Sequence, residues 1–224
     1  MRYLLVVVEG VTEKNLIETF LKTTIGQAPG RYGAIEVVPL SLDGNQGHVK
    51  LVEKAEECVD KYLNDPENCY EADNDEIEKW LVFDFDNLNE RGLTLENIIA
   101  EAERNSFECV VSKPNIEFYI LTILGGEEPA CATKVSQYER KINELIEEKN
   151  KKEKEEQGGL GEPLKIPRYG KQEHLSRECL WMIFVRFPTE VKKTYDSTSE
   201  GKEKYSQVPR LLKRIEEITK EGEK

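Results

Sequence analysis

The residues of this chain with the clearest chemical potential are Glu9, Asp84 and Asp86. The two aspartates close the run Trp80-Leu81-Val82-Phe83-Asp84-Phe85-Asp86, whose β-branched and aromatic content predicts a strand at the centre of a sheet. Alternate strand positions share a face, so the two carboxylates stand about 6 to 7 Å apart on one side. There they oppose each other's ionisation unless a cation or hydrogen-bond donors lie between them. A divalent metal is the economical answer. Mg²⁺ suits it, with Mn²⁺ as a substitute, because it keeps several waters and takes only one or two protein carboxylates. Glu9 follows a second apolar run, Tyr3 to Val8, with three consecutive valines, which predicts a strand covered on both faces. In open α/β sheets ligands collect outside the carboxyl ends of the strands. If these two strands are neighbours, three acids meet in one crevice, where a metal would activate water and stabilise charge on a phosphate oxygen. Each acid alone has a plainer explanation, as a turn residue or a loop cap.

The scaffold that would position them is legible as alternating strands and helices. Thr12 is placed to cap a helix over 13–24, a second strand is expected over 34–40, and a helix carrying Val49, Val52, Ala55, Val59 and Leu63 over 47–63. After the 80–85 strand, Thr94 caps a helix through Arg104, a fourth strand runs over 107–111, and an apolar helix over 115–124. The expectation is an α/β fold: an open, mostly parallel four-stranded sheet flanked by helices, with a catalytic core over 1–124. Residues 125–224 read as a helical extension packed on that core. A helix from Val135 runs on into an almost wholly charged stretch, expected to be solvated, and Gly158-Gly159-Leu160-Gly161 breaks the chain, so about 147–171 is expected to be flexible. A further apolar helix or strand covers 175–187, and Ser206 and Pro209 open a last amphipathic helix.

Composition narrows the function classes. A formal charge of −12 leaves no broad basic surface for sequence-blind nucleic-acid binding, so such a substrate would need local basic patches and bound metal. Five cysteines without a Cys-x-x-Cys pair and two histidines, His48 and His174, argue against a zinc site, a disulfide framework or a histidine-activated nucleophile. The first apolar run is too short to span a bilayer, so no membrane partner and a cytoplasmic location are expected.

The motif Val7-Val8-Glu9-Gly10-Val11-Thr12-Glu13, followed by Phe83-Asp84-Phe85-Asp86, resembles the TOPRIM domain. There a Glu-Gly after the first strand and an Asp-x-Asp after a later one form a Mg²⁺ site. The stretch Ser112-Lys113-Pro114-Asn115-Ile116-Glu117-Phe118-Tyr119-Ile120-Leu121 is similar to a motif of RloB-like proteins, a bacterial TOPRIM group associated with restriction and phage-defence loci. The chain departs from that pattern at Lys113, Ile116 and Ile123. The resemblance covers about residues 1–124 and extends to the region of Tyr169 and Lys171. It implies Glu9 as general acid or base and Asp84 and Asp86 as metal ligands, whereas the residues themselves agree on the metal and do not separate the roles.

Glu13, one turn beyond Glu9, and Glu117, in the first turn of the 115–124 helix, are candidate additional acids; favourable interaction with a helix N-terminus explains either equally simply. Candidate substrate contacts are Gly10, Ser112 and Lys113 at strand ends, and Arg168 and Lys171, which with Lys165 flank Tyr169. The function expected is a Mg²⁺-dependent nuclease acting on DNA or RNA in prokaryotic antiviral defence. The alternative is a metal-dependent sensor that binds nucleic acid or nucleotide without cutting and partners an ATPase. The charged helices at 135–156 and 205–220 could dock a second copy of the chain or another protein; packing on their own sheet accounts for them as well.

Overall fold

A computed structural model describes residues 2–24, 35–39, 50–67, 76–85, 94–126, 135–156, 165–170, 173–194 and 205–221. In chain order the elements are β1 (Arg2–Val8), α1 (Val11–Thr24), β2 (Ile35–Pro39), α2 (Leu51–Leu63), β3 (Glu76–Asp84), α3 (Leu95–Arg104), β4 (Phe107–Lys113), α4 (Glu117–Ile123), α5 (Val135–Glu156), α6 (Glu173–Arg186), α7 (Pro188–Thr194), β5 (Tyr205–Ser206) and α8 (Val208–Glu221).

The sheet order is β2-β1-β3-β4-β5. β1 runs parallel to β2 and β3, β3 runs parallel to β4, and the two-residue β5 pairs antiparallel with the end of β4. The two central strands, β1 and β3, are thus adjacent, and their carboxyl ends carry Glu9 and Asp84. Strand alternation divides the core into two. Leu4, Val6 and Val8 of β1, with Trp80, Val82 and Val110, face α1 and the C-terminal helices. Leu5, Val7, Leu81, Phe83 and Val111 face α2 and α3 through Leu51, Val52, Ala55, Ile98 and Ala102. α1 packs on β1 at that first face and the helices after residue 125 pack on α1, α4 and β4: Tyr138, Ile142, Leu180, Ile183, Leu211 and Ile215 are all fully buried there.

Several local differences from expectation have physical causes. β3 starts at Glu76, four residues before Trp80, because the charged Glu78 is neutralised in place: Arg214 of α8 donates to both its carboxylate oxygens at 2.7–3.1 Å, and Trp80 Nε1 donates to Oε1 at 2.8 Å. β4 runs on to Lys113 because β5, too short to be visible in sequence, pairs with its last two residues. Thr12 is not a cap: α1 begins at Val11, with Lys14 N–H donating to Gly10 carbonyl, and Thr12 is buried inside the first turn. Thr94 does cap α3, accepting from Asn97 N–H at 3.3 Å. The apolar stretch near 175–187 is the helix α6, and Pro188 at the first position of the helix that follows starts α7, a break not anticipated from the sequence.

The stretch expected to be flexible is partly regular. α5 stays helical through Glu156, where Arg186 of α6 pairs with Glu153 at 2.6 Å. Residues 165–170, outside any helix or strand, run beside α5 and are clasped by two of its asparagines. Asn143 accepts from Tyr169 N–H at 2.7 Å and donates to its carbonyl at 3.0 Å; Asn150 does the same for Ile166, both at 2.9 Å. Each side-chain amide substitutes for a strand partner and satisfies a backbone that no sheet reaches. The Gly158–Gly161 stretch lies outside the described residues. So do His48 and the side chain of His174. No helix among the described residues is long and apolar enough to cross a membrane. Asn143→Ala should leave the buried Tyr169 N–H and carbonyl without partners and lower the melting temperature by about 3 to 10 °C in a thermal melt; an unchanged melt would show that the clasp contributes nothing to stability.

Candidate active site

The ends of β1 and β3 are joined by side chain as well as backbone. Glu9 N–H donates to Val82 carbonyl at 3.0 Å, extending the ladder one step, and the Glu9 carboxylate then accepts from Asp84 N–H through Oε2 at 3.3 Å. Glu9 is thereby turned across the strand ends toward Asp84. Phe85 N–H donates to Ser112 carbonyl at 2.8 Å and fixes the chain just beyond Asp84 against β4.

Over these strand ends lies a cavity of about 360 Å³ lined by Glu9, Gly10, Val11, Thr12, Glu13, Asp84 and Glu117. Of the described residues that line it, four are acids and none is basic. They come from four elements: the strand ends supply Glu9 and Asp84, the first turn of α1 supplies Glu13, and the first turn of α4 supplies Glu117. Helix N-termini favour negative charge, which offsets part of the repulsion among them. Gly10 leaves room for the Glu13 carboxylate: a Cβ at this position would meet its Oε2 and push the side chain aside.

The electrostatics record the crowding. Glu13, 5% exposed, has its pKa pushed up to about 7, first by burial and further by the charges of Glu117 and Glu9; its own backbone N–H and a hydrogen bond with Asp84 oppose the rise. Glu117, 1% exposed, accepts from Tyr169 hydroxyl at 3.1 Å through Oε1. Burial, then the Glu117 charge, hold the Tyr169 hydroxyl well above the usual phenol range, and it also bonds with Thr12. The 165–170 segment thus reaches the wall behind the acids through one buried phenol.

Glu9, Asp84, Glu13 and Glu117 are therefore brought together, and Gly10 with them. Asp86 and Lys171 lie outside the described residues. Ser112 is directed elsewhere: its buried hydroxyl pairs with Ser206 hydroxyl at 2.9 Å across β4 and β5. Lys113 lies over the Phe85 ring, 5.4 Å from its centroid, and does not line the cavity. Arg168 is exposed on the 165–170 segment and Tyr169, expected beside it as a surface contact, is buried. Thr12 and Tyr169 are the participants that sequence did not assign to the site. Among the described residues no group of three or more histidine, cysteine or acidic side chains is already gathered as a metal cage.

The molecule is an α/β protein with an acid-lined crevice at the carboxyl ends of adjacent parallel strands, the place where ligands collect in open α/β sheets. The chain matches the RloB-like protein family over residues 4–215 and belongs to it. That span runs from β1 into α8, so α5 to α8 belong to the family's matched region, beyond the stretch that the sequence motifs cover. No curated protein and no solved structure matches the chain.

Because Glu13 takes up its proton at higher pH in the folded protein than in the unfolded chain, its contribution to stability is present below about pH 4.5 and is lost as pH rises through about 7. Glu13→Gln, which keeps the shape and removes the charge, should melt a few degrees higher than the parent at pH 8, with the gain shrinking toward pH 5. Equal melting differences at both pH values would contradict a raised pKa at this position.

Proposed function

We propose that this protein is a divalent-metal-dependent phosphodiester hydrolase of TOPRIM type, acting on DNA or RNA in prokaryotic restriction or phage defence. The observation that carries the reading is the convergence of Glu9, Glu13, Asp84 and Glu117 on one cavity at the ends of β1 and β3. The TOPRIM likeness is supported by the adjacency of β1, which ends in Glu9-Gly10, and β3, which ends in Asp84.

The donor set fits a hard cation, since the polar side chains lining the cavity are hydroxyl and carboxylate oxygens, and Mg²⁺ needs only one or two carboxylates alongside its waters. Asp84, with Asp86 two residues on, and Glu9 would hold the ion. When bound, it would supply an activated water and stabilise charge on a phosphate oxygen. The chain's own residues do the rest. Asp84 N–H orients the Glu9 carboxylate. Before an ion binds, burial and then the charges of Glu117 and Glu9 hold the pKa of the Glu13 carboxyl up to about 7, so its proton would be released more readily with a cation beside it. Tyr169 hydroxyl holds Glu117 in place from behind. With four acids and no basic group in the described lining, a phosphodiester is repelled unless a cation is present, so substrate binding as well as turnover should depend on metal.

The net charge of −12 also suits the second reading, a metal-dependent sensor that binds nucleic acid or nucleotide without cutting, alongside an ATPase. One experiment separates the two. Single- and double-stranded DNA and RNA are incubated with the protein and Mg²⁺ or Mn²⁺. Cleavage is expected, with loss of at least about 100-fold in Glu9→Gln and in Asp84→Asn and abolition by chelator, while the melting curves stay within a few degrees of the parent. Cleavage that survives in both variants removes the hydrolase reading, and saturable binding without any cleavage selects the sensor.

A further inference from the structure

Away from the acidic crevice, the last turns of α1, the 165–170 segment and α6 enclose a second cavity of about 500 Å³. That is the size of a small-ligand site. Its walls are largely apolar, with Pro167, Trp181 and Met182 among them. Trp181 is 46% exposed, whereas the chain's other tryptophan, Trp80, is 4% exposed in the core. A half-exposed indole forgoes much of the stabilisation its burial would bring, and a flat aromatic face at a cavity wall suits a planar ligand. Three cations surround it: Lys22, Lys165 and Arg177, against one carboxylate, Glu178. Arg177 is engaged by Glu18 at 3.2 Å and Asn15 at 3.3 Å. Among the described residues no ion pair takes up Lys22 or Lys165. In a chain of net charge −12, two lysines beside an open tryptophan form a local inversion of sign.

An aromatic face with positive charge next to it matches a planar ring that carries an anion. We propose that this cavity binds a nucleoside phosphate, its base stacked on Trp181 and its phosphate held by Lys22 and Lys165. The ligand is either a free nucleotide or a nucleotide within a single strand, since both present the same chemistry. The site does not depend on the hydrolase reading: Glu13 and Lys22 are nine residues apart on α1, about 13 Å along its axis. Val185, one turn beyond Trp181 on α6 and 48% exposed, lengthens the apolar surface and would suit a second copy of the chain; the two lysines favour the anion.

The test uses the full chain in chelator, so that no metal recruits phosphate to the acidic crevice. Tryptophan fluorescence is followed on titration with AMP, with a ten-nucleotide oligo(dA), with adenosine and with inorganic phosphate. Saturable quenching is expected with AMP or the oligonucleotide, and much weaker responses with adenosine or phosphate alone. Comparable affinities for the first two indicate a free nucleotide, and a response to the oligonucleotide alone indicates a strand. By calorimetry, Trp181→Ala and the double variant Lys22→Glu, Lys165→Glu should each weaken binding at least tenfold with unchanged melting curves, and Glu9→Gln should bind like the parent. The proposal is overturned by absence of quenching with both probes, by binding that persists in the double variant, by loss of binding in Glu9→Gln, or by a quench that follows protein concentration without ligand.

Discussion

The structure depends on repulsion among carboxylates that the fold itself imposes. Two parallel strands lie side by side, each ending in an acid, and two helices start over the same strand ends with acids in their first turns. Burial by itself already makes the ionised form of Glu13 costly, and its neighbours add to that. Together these placements put Glu9, Glu13, Asp84 and Glu117 around one small volume, and Glu13 registers the cost, the pKa of its carboxyl held up to about 7 first by burial and then by the charges of Glu117 and Glu9. The fold moderates it with what lies nearby: Asp84 N–H on Glu9, Tyr169 hydroxyl on Glu117, and the N-terminal ends of α1 and α4. A protein that needed only stability would replace such acids with neutral groups of similar shape.

The C-terminal helices serve that arrangement directly. α8 packs on β4, while α6 packs on α1 and α5 on α4, behind the sheet face on which Leu4, Val6 and Val8 of β1 lie, and the 165–170 segment that α5 clasps delivers Tyr169 to the back of the acidic wall. β3, the strand that carries Asp84, is steadied at its other end by Arg214 on Glu78 and by the Arg210 guanidinium over the Trp80 ring at 5.0 Å. The amino-terminal half of β3 is thus held by residues more than a hundred positions later in the chain, and its carboxyl end by Glu9 and Ser112.

This explains which parts could be read without coordinates. β1 and α1 were legible because valine runs and helical spacing are local signals, and the pairing of Glu9 with Asp84 followed from strand ends in a parallel sheet. Glu13 and Glu117 were legible as candidates only, because a first-turn acid looks the same whether it answers a helix dipole or lines a site. The charged start of β3, the two-residue β5, and the roles of Thr12, Ser112 and Tyr169 were illegible, since each is decided by a partner distant in sequence: Arg214, Ser206, Asn143 or Glu117. The basic residues around Tyr169 suggested a surface contact, and the buried phenol among them instead ties the segment to the wall of the site.

The central claim is that these strand-end acids form a notch made for a divalent cation. The most direct measurement is a crystal soaked in Mn²⁺, with anomalous density locating the ion. The account predicts a peak between Glu9 and Asp84, within coordination distance of a carboxylate from each and with the Glu9 side chain still turned toward β3. A strong peak elsewhere on the protein, with the crevice holding none at saturating Mn²⁺, would contradict it.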